Sequence, residues 1–283
     1  DSDPSRGLGD VYKRQVRDTM AAKVIVKLGG GLITDKSSIK TPKLDIIDSI
    51  CDEISNLVSS GNSVIIVHGA GSYGHLLARK WSLSHGLKKN ISEQQRKAVE
   101  IVRNDMKELS GLVSKSLSDR GIETTTFPPS EWAKNTGDSF KGDVSVFDSF
   151  PDNVVPITYG DVVNVDGNAE FGILSGDDLM ARISIEIPSV THCVFLLGDA
   201  DGMMDRPPNL EGSKLIELWK SGEFVQTEHD SEHDVTGGIE LKAERASLIS
   251  EKVEEVWFIN GNFPERLSEL LSGGTTIGTK IVS

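Results

Sequence analysis

Short β-branched runs alternate along the chain with longer stretches whose apolar residues recur every three to four positions. Residues 23–28 (KVIVKL) form one such run, broken by Gly29, Gly30 and Gly31, and read as a buried strand ending in a tight backbone loop. Over 44–57 the apolar positions Ile46, Ile47, Ile50, Ile54 and Leu57 keep a helical period that Ser59, Ser60 and Gly61 stop, and 63–67 (SVIIV) follows as a strand of parallel type. That is a βαβ unit. The second strand runs into His68-Gly-Ala-Gly-Ser-Tyr-Gly-His75, with a helix expected to begin over 76–81. A long helix is predicted over 92–120, with Ser92 as N-cap, Gln95 completing a capping box, and an apolar line through Val99, Val102, Met106, Leu109 and Val113.

Further on, 124–127, 154–158 and 162–165 carry strand patterning, with a loop after Pro128-Pro129 and the Gly160-Asp161 pair between the last two. Leu174-Ser-Gly-Asp-Asp178 opens a helix through Leu179, Ile183 and Ile187; residues 193–197 form a buried strand ending in Gly198-Asp-Ala-Asp-Gly202. Asp234-Val-Thr-Gly-Gly238 leads into a helix over 239–251, followed by a strand over 253–259, a short helix over 264–271 and a last strand over 278–282. Strands and helices thus alternate, with glycine loops at the carboxyl ends of strands. This pattern predicts an α/β fold, a three-layer αβα sandwich with a mostly parallel central sheet, in which ligands gather at those strand ends. The polar, glycine-containing turn 166–172 offers a boundary between an N-terminal lobe (20–170) and a C-terminal lobe (171–283) sharing one continuous sheet.

Composition narrows the partners. The chain has 283 residues, 43 acidic against 30 basic, and a formal charge of −13, so its surface as a whole should repel nucleic acid and anionic membrane, and cationic contacts to an anionic ligand must be local. No apolar run approaches the ~18 residues of a membrane span, and no positively charged stretch precedes an apolar one as in a secretory signal, which points to a cytoplasmic chain. Cys51 and Cys193 lack metal spacing and read as core residues in a reducing compartment. Residues 1–19 show neither strand nor helix period and are expected to be a non-native or disordered extension.

Three loops carry chemistry. Gly69-Ala-Gly-Ser-Tyr-Gly74 matches GxGxxG between a strand and a helix, but the acid that a dinucleotide site needs roughly 20 residues on is absent, where helix-start residues stand instead. What remains is a loop whose small residues let backbone N–H groups and a helix start approach a phosphate. His75, in the helix that follows, is placed to donate to a phosphate oxygen, whereas His68, ending a buried strand, reads as structural. Lys27 lies inside an apolar strand, where a lysine needs an anionic partner, and Lys36 flanks the same loop. Asp234-Val-Thr-Gly-Gly238 with Lys242 behind it offers another anion loop with its own cation. His229-Asp-Ser-Glu-His233 matches HxxEH, but its surroundings are poor helix material, so catalytic zinc is not expected and no metal-ligating side chains are assigned. Neither GxxxxGK[ST] nor the HRD and DFG set of protein kinases occurs, so phosphoryl transfer would need a different fold.

Taken in order, Lys27-Leu-Gly-Gly-Gly31, His68 to His75, Ser175-Gly-Asp-Asp178, Asp199-Ala-Asp-Gly202 and Asp234 to Gly238 with Lys242 resemble the amino acid kinase superfamily. Within it, the histidine closing the second motif and the Thr34-Asp35-Lys36 run resemble isopentenyl phosphate kinases. The resemblance implies the amino acid kinase fold, an N-terminal lobe for the phosphate acceptor, a C-terminal lobe for ATP with Mg2+, a homodimer, and conversion of isopentenyl monophosphate to isopentenyl diphosphate in an alternative mevalonate route. It further implies that Lys27, Lys36 and Lys242 neutralise the phosphate chain and that His75 donates to the acceptor. Gly69, Gly74, Gly160 and Gly176 would cradle that acceptor, and Asp177 would orient Lys27. Gly29, Gly30, Gly31, Ala70, Asp199, Gly237 and Gly238 would meet the nucleotide. Val99, Val102 and Met106 are either walls for the acceptor's tail or plain core. Gly31, Ala70, Tyr73 and Gly198 depart from the family's commoner serine, glycine, phenylalanine and threonine. A fosfomycin-kinase-like activity on the same fold is the nearest alternative, and a non-catalytic nucleotide sensor the alternative from another class.

Overall fold

The computed structural model describes residues 21–220, 238–273 and 276–283; the N-terminal extension, the HxxEH run and the loop from Asp234 to Gly237 lie outside them. In chain order the elements are β1 (Lys23–Leu28), α1 (Gly30–Ile33), α2 (Leu44–Ser59), β2 (Ser63–His68), α3 (Gly71–Lys80), α4 (Ser92–Ser118), β3 (Glu123–Thr126), α5 (Pro129–Trp132) and β4 (Val154–Tyr159). They continue with β5 (Asp161–Val165), β6 (Glu170–Leu174), α6 (Gly176–Glu186), β7 (Val190–Leu197), β8 (Leu218–Lys220), α7 (Gly238–Ser250), β9 (Glu255–Asn260), α8 (Arg266–Leu271) and β10 (Thr279–Val282).

Among the described residues the main sheet has eight strands in the order β3-β4-β2-β1-β7-β9-β10-β8, parallel except that β10 runs antiparallel to β9 and carries β8 with it. Strand alternation sorts the interior into two layers. Val24, Val26 and Leu28 of β1 face a core shared with α2, α3, α4 and α8, while Ile25 faces a second core shared with α6 and α7. Lys27, two positions after Ile25, follows it onto the α6 face. The three-layer αβα expectation therefore holds, and Cys51 and Cys193 are both fully buried in it. No described helix is long and apolar enough to cross a membrane.

Residues 166–169 form the turn of an antiparallel hairpin of β5 and β6, set apart from the main sheet. Local expectations failed in three places. Helix α3 starts at Gly71, inside the glycine loop, so His75 sits one turn into it. Pro128-Pro129 opens the one-turn helix α5, because proline suits a first helical position. The capping box does not form: Ser92 is already helical, and Gln95 is buried, accepting from the Lys88 N–H at 2.7 Å and donating to the Trp81 and Gly86 carbonyls at 2.9 and 3.1 Å. A buried polar side chain that can satisfy three backbone groups of the preceding loop is worth more there than at a solvent-facing helix end.

Candidate active site

Five adjacent parallel strands, β4, β2, β1, β7 and β9, each hand over to a glycine at their carboxyl ends: Gly160, Gly69, Gly29, Gly198 and Gly261. Most of these glycines extend the ladder by one bond. Gly160 N donates to His68 O at 3.0 Å, Gly69 N to Leu28 O at 2.9 Å, Gly29 N to Leu196 O at 3.1 Å and Gly261 N to Leu197 O at 2.8 Å. The loops are thereby held along one line at one edge of the sheet. Sequence reading missed Gly261, although Asn260-Gly-Asn262 directly after a strand is a turn signal.

The loops also interlock. A Cβ on Gly30 would lie 2.4 Å from Gly71 N, and one on Gly69 would lie 2.6 Å from Gly30 N, so the first two loops touch backbone to backbone. Gly71 has φ +48°, and a Cβ there would stand 2.0 Å from Thr34 Oγ1. Thr34 fastens this junction, its hydroxyl donating to Gly30 O at 2.7 Å and accepting from Ser72 N at 2.9 Å. Thr34 joins residues far apart in the chain, and no local period marks it. Gly160 and Gly176 meet in the same manner, a Cβ on the former lying 3.1 Å from Gly176 N. Gly198 backs onto Leu32 of α1, a Cβ on it lying 2.8 Å from Leu32 Cα. At Gly74 the close neighbours are Ala70 Cβ at 2.8 Å and Met106 Sδ at 3.4 Å, so this glycine lets α3 pack on α4.

Lys27, Lys36 and Lys43 stand around these loops. Lys27, 5% exposed, forms a buried ion pair with Asp177, 2% exposed, and its ammonium lies 5.8 Å from the Phe195 ring centre. Ser175 caps α6 and accepts from Asp177 N at 3.2 Å, which fixes the carboxylate that holds Lys27. Lys36 is exposed and folds over Gly31, since a Cβ on that glycine would lie 2.2 Å from Lys36 Cε. Lys43, which sequence reading passed over, donates to Gly31 O at 3.1 Å, so a second ammonium sits on the same peptide. His75 is half-buried on α3; Lys242, half-buried, lies one turn into α7; Asp199 is exposed at the end of β7. Gly238 begins α7, and Gly237 lies outside the described residues. Lys40, in the segment between Lys36 and α2, pairs with Asp105 at 3.0 Å and Glu108 at 2.5 Å, tying that segment to α4.

Burial decides the state of His68. Its side chain is inaccessible, and the loss of solvation pulls its pKa down to about 4, so the ring is neutral; Nδ1 faces Gly69 O at 3.1 Å. A neutral ring beside a carbonyl must put its proton on Nδ1, and His68 therefore pins the Gly69 carbonyl. The structural reading of His68 is the one its environment supports. Burial likewise raises the Asp161 carboxyl above its ordinary range, against hydrogen bonds from Ser130 and Val162. Val99, Val102 and Met106 are all buried in the core of the α4 face, with Val102 and Met106 directly behind Gly74.

The model of the amino acid kinase family matches residues 22–260. The chain belongs to that family. It is 31% identical over 266 residues to isopentenyl phosphate kinase of Methanothermobacter thermautotrophicus, covering 91% of this chain and 98% of that protein. The isopentenyl phosphate kinase of Thermoplasma acidophilum is 31% identical over 250 residues, 87% of this chain and 95% of that protein. A crystal structure of an isopentenyl phosphate kinase superposes with a TM-score of 0.78 at 27% identity, covering 92% of this chain and all of the other. The amino acid kinase fold expected from the motif order is thus the fold of this kinase chain, and the five glycine loops occupy its sheet edge.

Proposed function

We infer that the protein phosphorylates isopentenyl monophosphate at the expense of ATP, giving isopentenyl diphosphate and ADP in isoprenoid biosynthesis. The observation that carries this reading is the line of glycine loops at one sheet edge, flanked by Lys27, Lys36 and Lys43, in a chain similar over nearly its whole length to isopentenyl phosphate kinases. A phosphate monoester has a second pKa of about 6, so the attacking oxygen is already anionic near neutrality and needs no general base. The chemical demand is to bring two polyanions into line, which positioning and charge neutralisation supply.

In this reading Lys27, Lys36 and Lys242 neutralise the phosphate chain, and His75 donates to the acceptor phosphate. Gly69, Gly74, Gly160 and Gly176 shape the acceptor side, while Gly29, Gly30, Gly31, Ala70, Asp199, Gly237 and Gly238 meet the nucleotide. Asp177 holds Lys27 at its post through their buried pair. The exposed carboxylate of Asp199 fits a magnesium ion carried mainly by nucleotide phosphates. Such an ion would supply further neutralisation of phosphate oxygens. The lobe division near residue 170, a homodimeric state and a cytoplasmic location complete the proposal.

The test is ADP release measured with isopentenyl monophosphate, dimethylallyl monophosphate and fosfomycin side by side. The prenyl monophosphates are expected to be turned over with the highest kcat/KM. Faster turnover of fosfomycin would replace this reading with the antibiotic kinase alternative, and ATP binding without any turnover would favour the sensor.

A further inference from the structure

Beside the Lys27 pair lies a second buried ion pair to which the proposed function gives no role. Asp178 follows Asp177 in the first turn of α6, and Arg245 lies on α7, three positions beyond Lys242. Arg245 Nε donates to Asp178 Oδ1 at 2.8 Å, and both side chains are nearly closed to solvent, at 9% and 6% exposure. Arg245 Nη1 also reaches Glu244 at 3.0 Å and Asp138 at 3.6 Å, but those carboxylates are 65% and 58% exposed and screened by water. Two adjacent buried carboxylates, Asp177 and Asp178, therefore face two buried cations, Lys27 and Arg245, one from the strand beneath the first glycine loop and one from the helix that carries Lys242.

We propose that Arg245 and Asp178 are positioning residues that balance charge beneath the phosphate site, so that Asp177 remains committed to Lys27 and the arriving phosphates meet no surplus negative charge. The proposal rests on the phosphoryl-transfer reading of the site. Arg245 neutralises Asp178, whose charge would otherwise act on Asp177 beside it and add its own field to the pocket. Burial raises the Asp178 carboxyl above its ordinary range, while Arg245 pulls it back down, consistent with a charge kept in place by its partner.

A purely structural pair and a charge-balancing pair differ in sign. Breaking a buried pair costs stability whichever half is removed. The effect on an anionic ligand, however, must reverse between the halves: Arg245→Met leaves an extra negative charge near the phosphates, and Asp178→Asn removes one. The measurement is the Kd for ATP with magnesium by calorimetry, with KM for acceptor and melting temperature recorded alongside, on wild type, the two single variants and the double variant. Arg245→Met is expected to weaken ATP binding about tenfold, Asp178→Asn to bind ATP at least as tightly as wild type, and the double variant to return to within about threefold of wild type. Weaker ATP binding in Asp178→Asn, or a double variant as weak as Arg245→Met, overturns the proposal. Should Arg245→Met fail to fold, the sign seen in Asp178→Asn decides alone. A wild-type protein that binds ATP but does not phosphorylate isopentenyl monophosphate sinks the substrate reading and leaves this test intact.

Discussion

Substituting Gly30 by alanine tests whether the interlocked loops set the reaction geometry. The new Cβ would stand 2.4 Å from Gly71 N, 2.9 Å from Gly71 Cα and 3.2 Å from Ala70 N, all backbone atoms that no rotamer change can move. Bringing the nearest approach out to 3.0 Å requires about 0.6 Å of separation, and out to 3.4 Å about 1.0 Å. That separation parts the segment bearing Lys27 and Lys36 from the helix bearing His75. Misplacing reacting groups by ~1 Å costs roughly 10²-fold in rate, or about 2.7 kcal/mol in the barrier. Overpacking should also lower stability by about 1–3 kcal/mol. The assay is ADP-coupled steady-state turnover with ATP and isopentenyl monophosphate, beside a thermal melt. Gly111→Ala serves as control: it lies in α4 with nothing within 4 Å of its would-be Cβ, and alanine there should gain about 1 kcal/mol of helix propensity with unchanged kcat/KM. A Gly30→Ala enzyme with wild-type kcat/KM and melting temperature would refute the argument, because it would show that the two loops separate without consequence.

Other variants probe the remaining assignments. His75→Ala should lower kcat by about 10²-fold, the cost of losing one preorganised donor, while KM for ATP changes little; a fully active variant removes His75 from the mechanism. Asp177→Asn breaks a buried ion pair and should cost roughly 3 kcal/mol in chemical denaturation as well as most of the turnover, and unchanged values for both would show that Lys27 needs no such anchor. His68 has its folded pKa lowered to about 4 from an ordinary 6.5, so the unfolded chain binds the proton more readily. Its contribution is complete above about pH 6.5 and is lost as pH falls toward 4, roughly 3 kcal/mol in all; His68→Gln should flatten that part of the acid stability curve, and an identical slope would contradict the burial argument. Met106→Ala should destabilise by roughly 2–5 kcal/mol and relax the preference for short prenyl chains, and an unaltered chain-length profile would leave Met106 as core alone.

The amino-acid sequence by itself determined the layers and most strands, because burying one or both faces of a strand or helix leaves a local period that can be read residue by residue. It also marked Lys27, since an ammonium inside an apolar strand needs an anionic partner, and the fold supplies one in Asp177. It exposed the glycine loops, because backbone cannot approach backbone past a Cβ, as the contacts at Gly30, Gly69 and Gly71 demonstrate. Only the tertiary structure decided which distant groups complete these signals. Gln95 could bond to the preceding loop or cap its own helix, and the choice followed from the burial of its side chain against that loop. Thr34 reaches Ser72, Lys40 reaches Asp105 and Glu108, and Asp178 reaches Arg245 across 38 to 68 residues of chain. Strand β8, three residues long, gains its place from pairing with β10. Such partnerships leave no period in the chain, since their energy arises only once folding has removed water from between groups that sequence distance keeps apart.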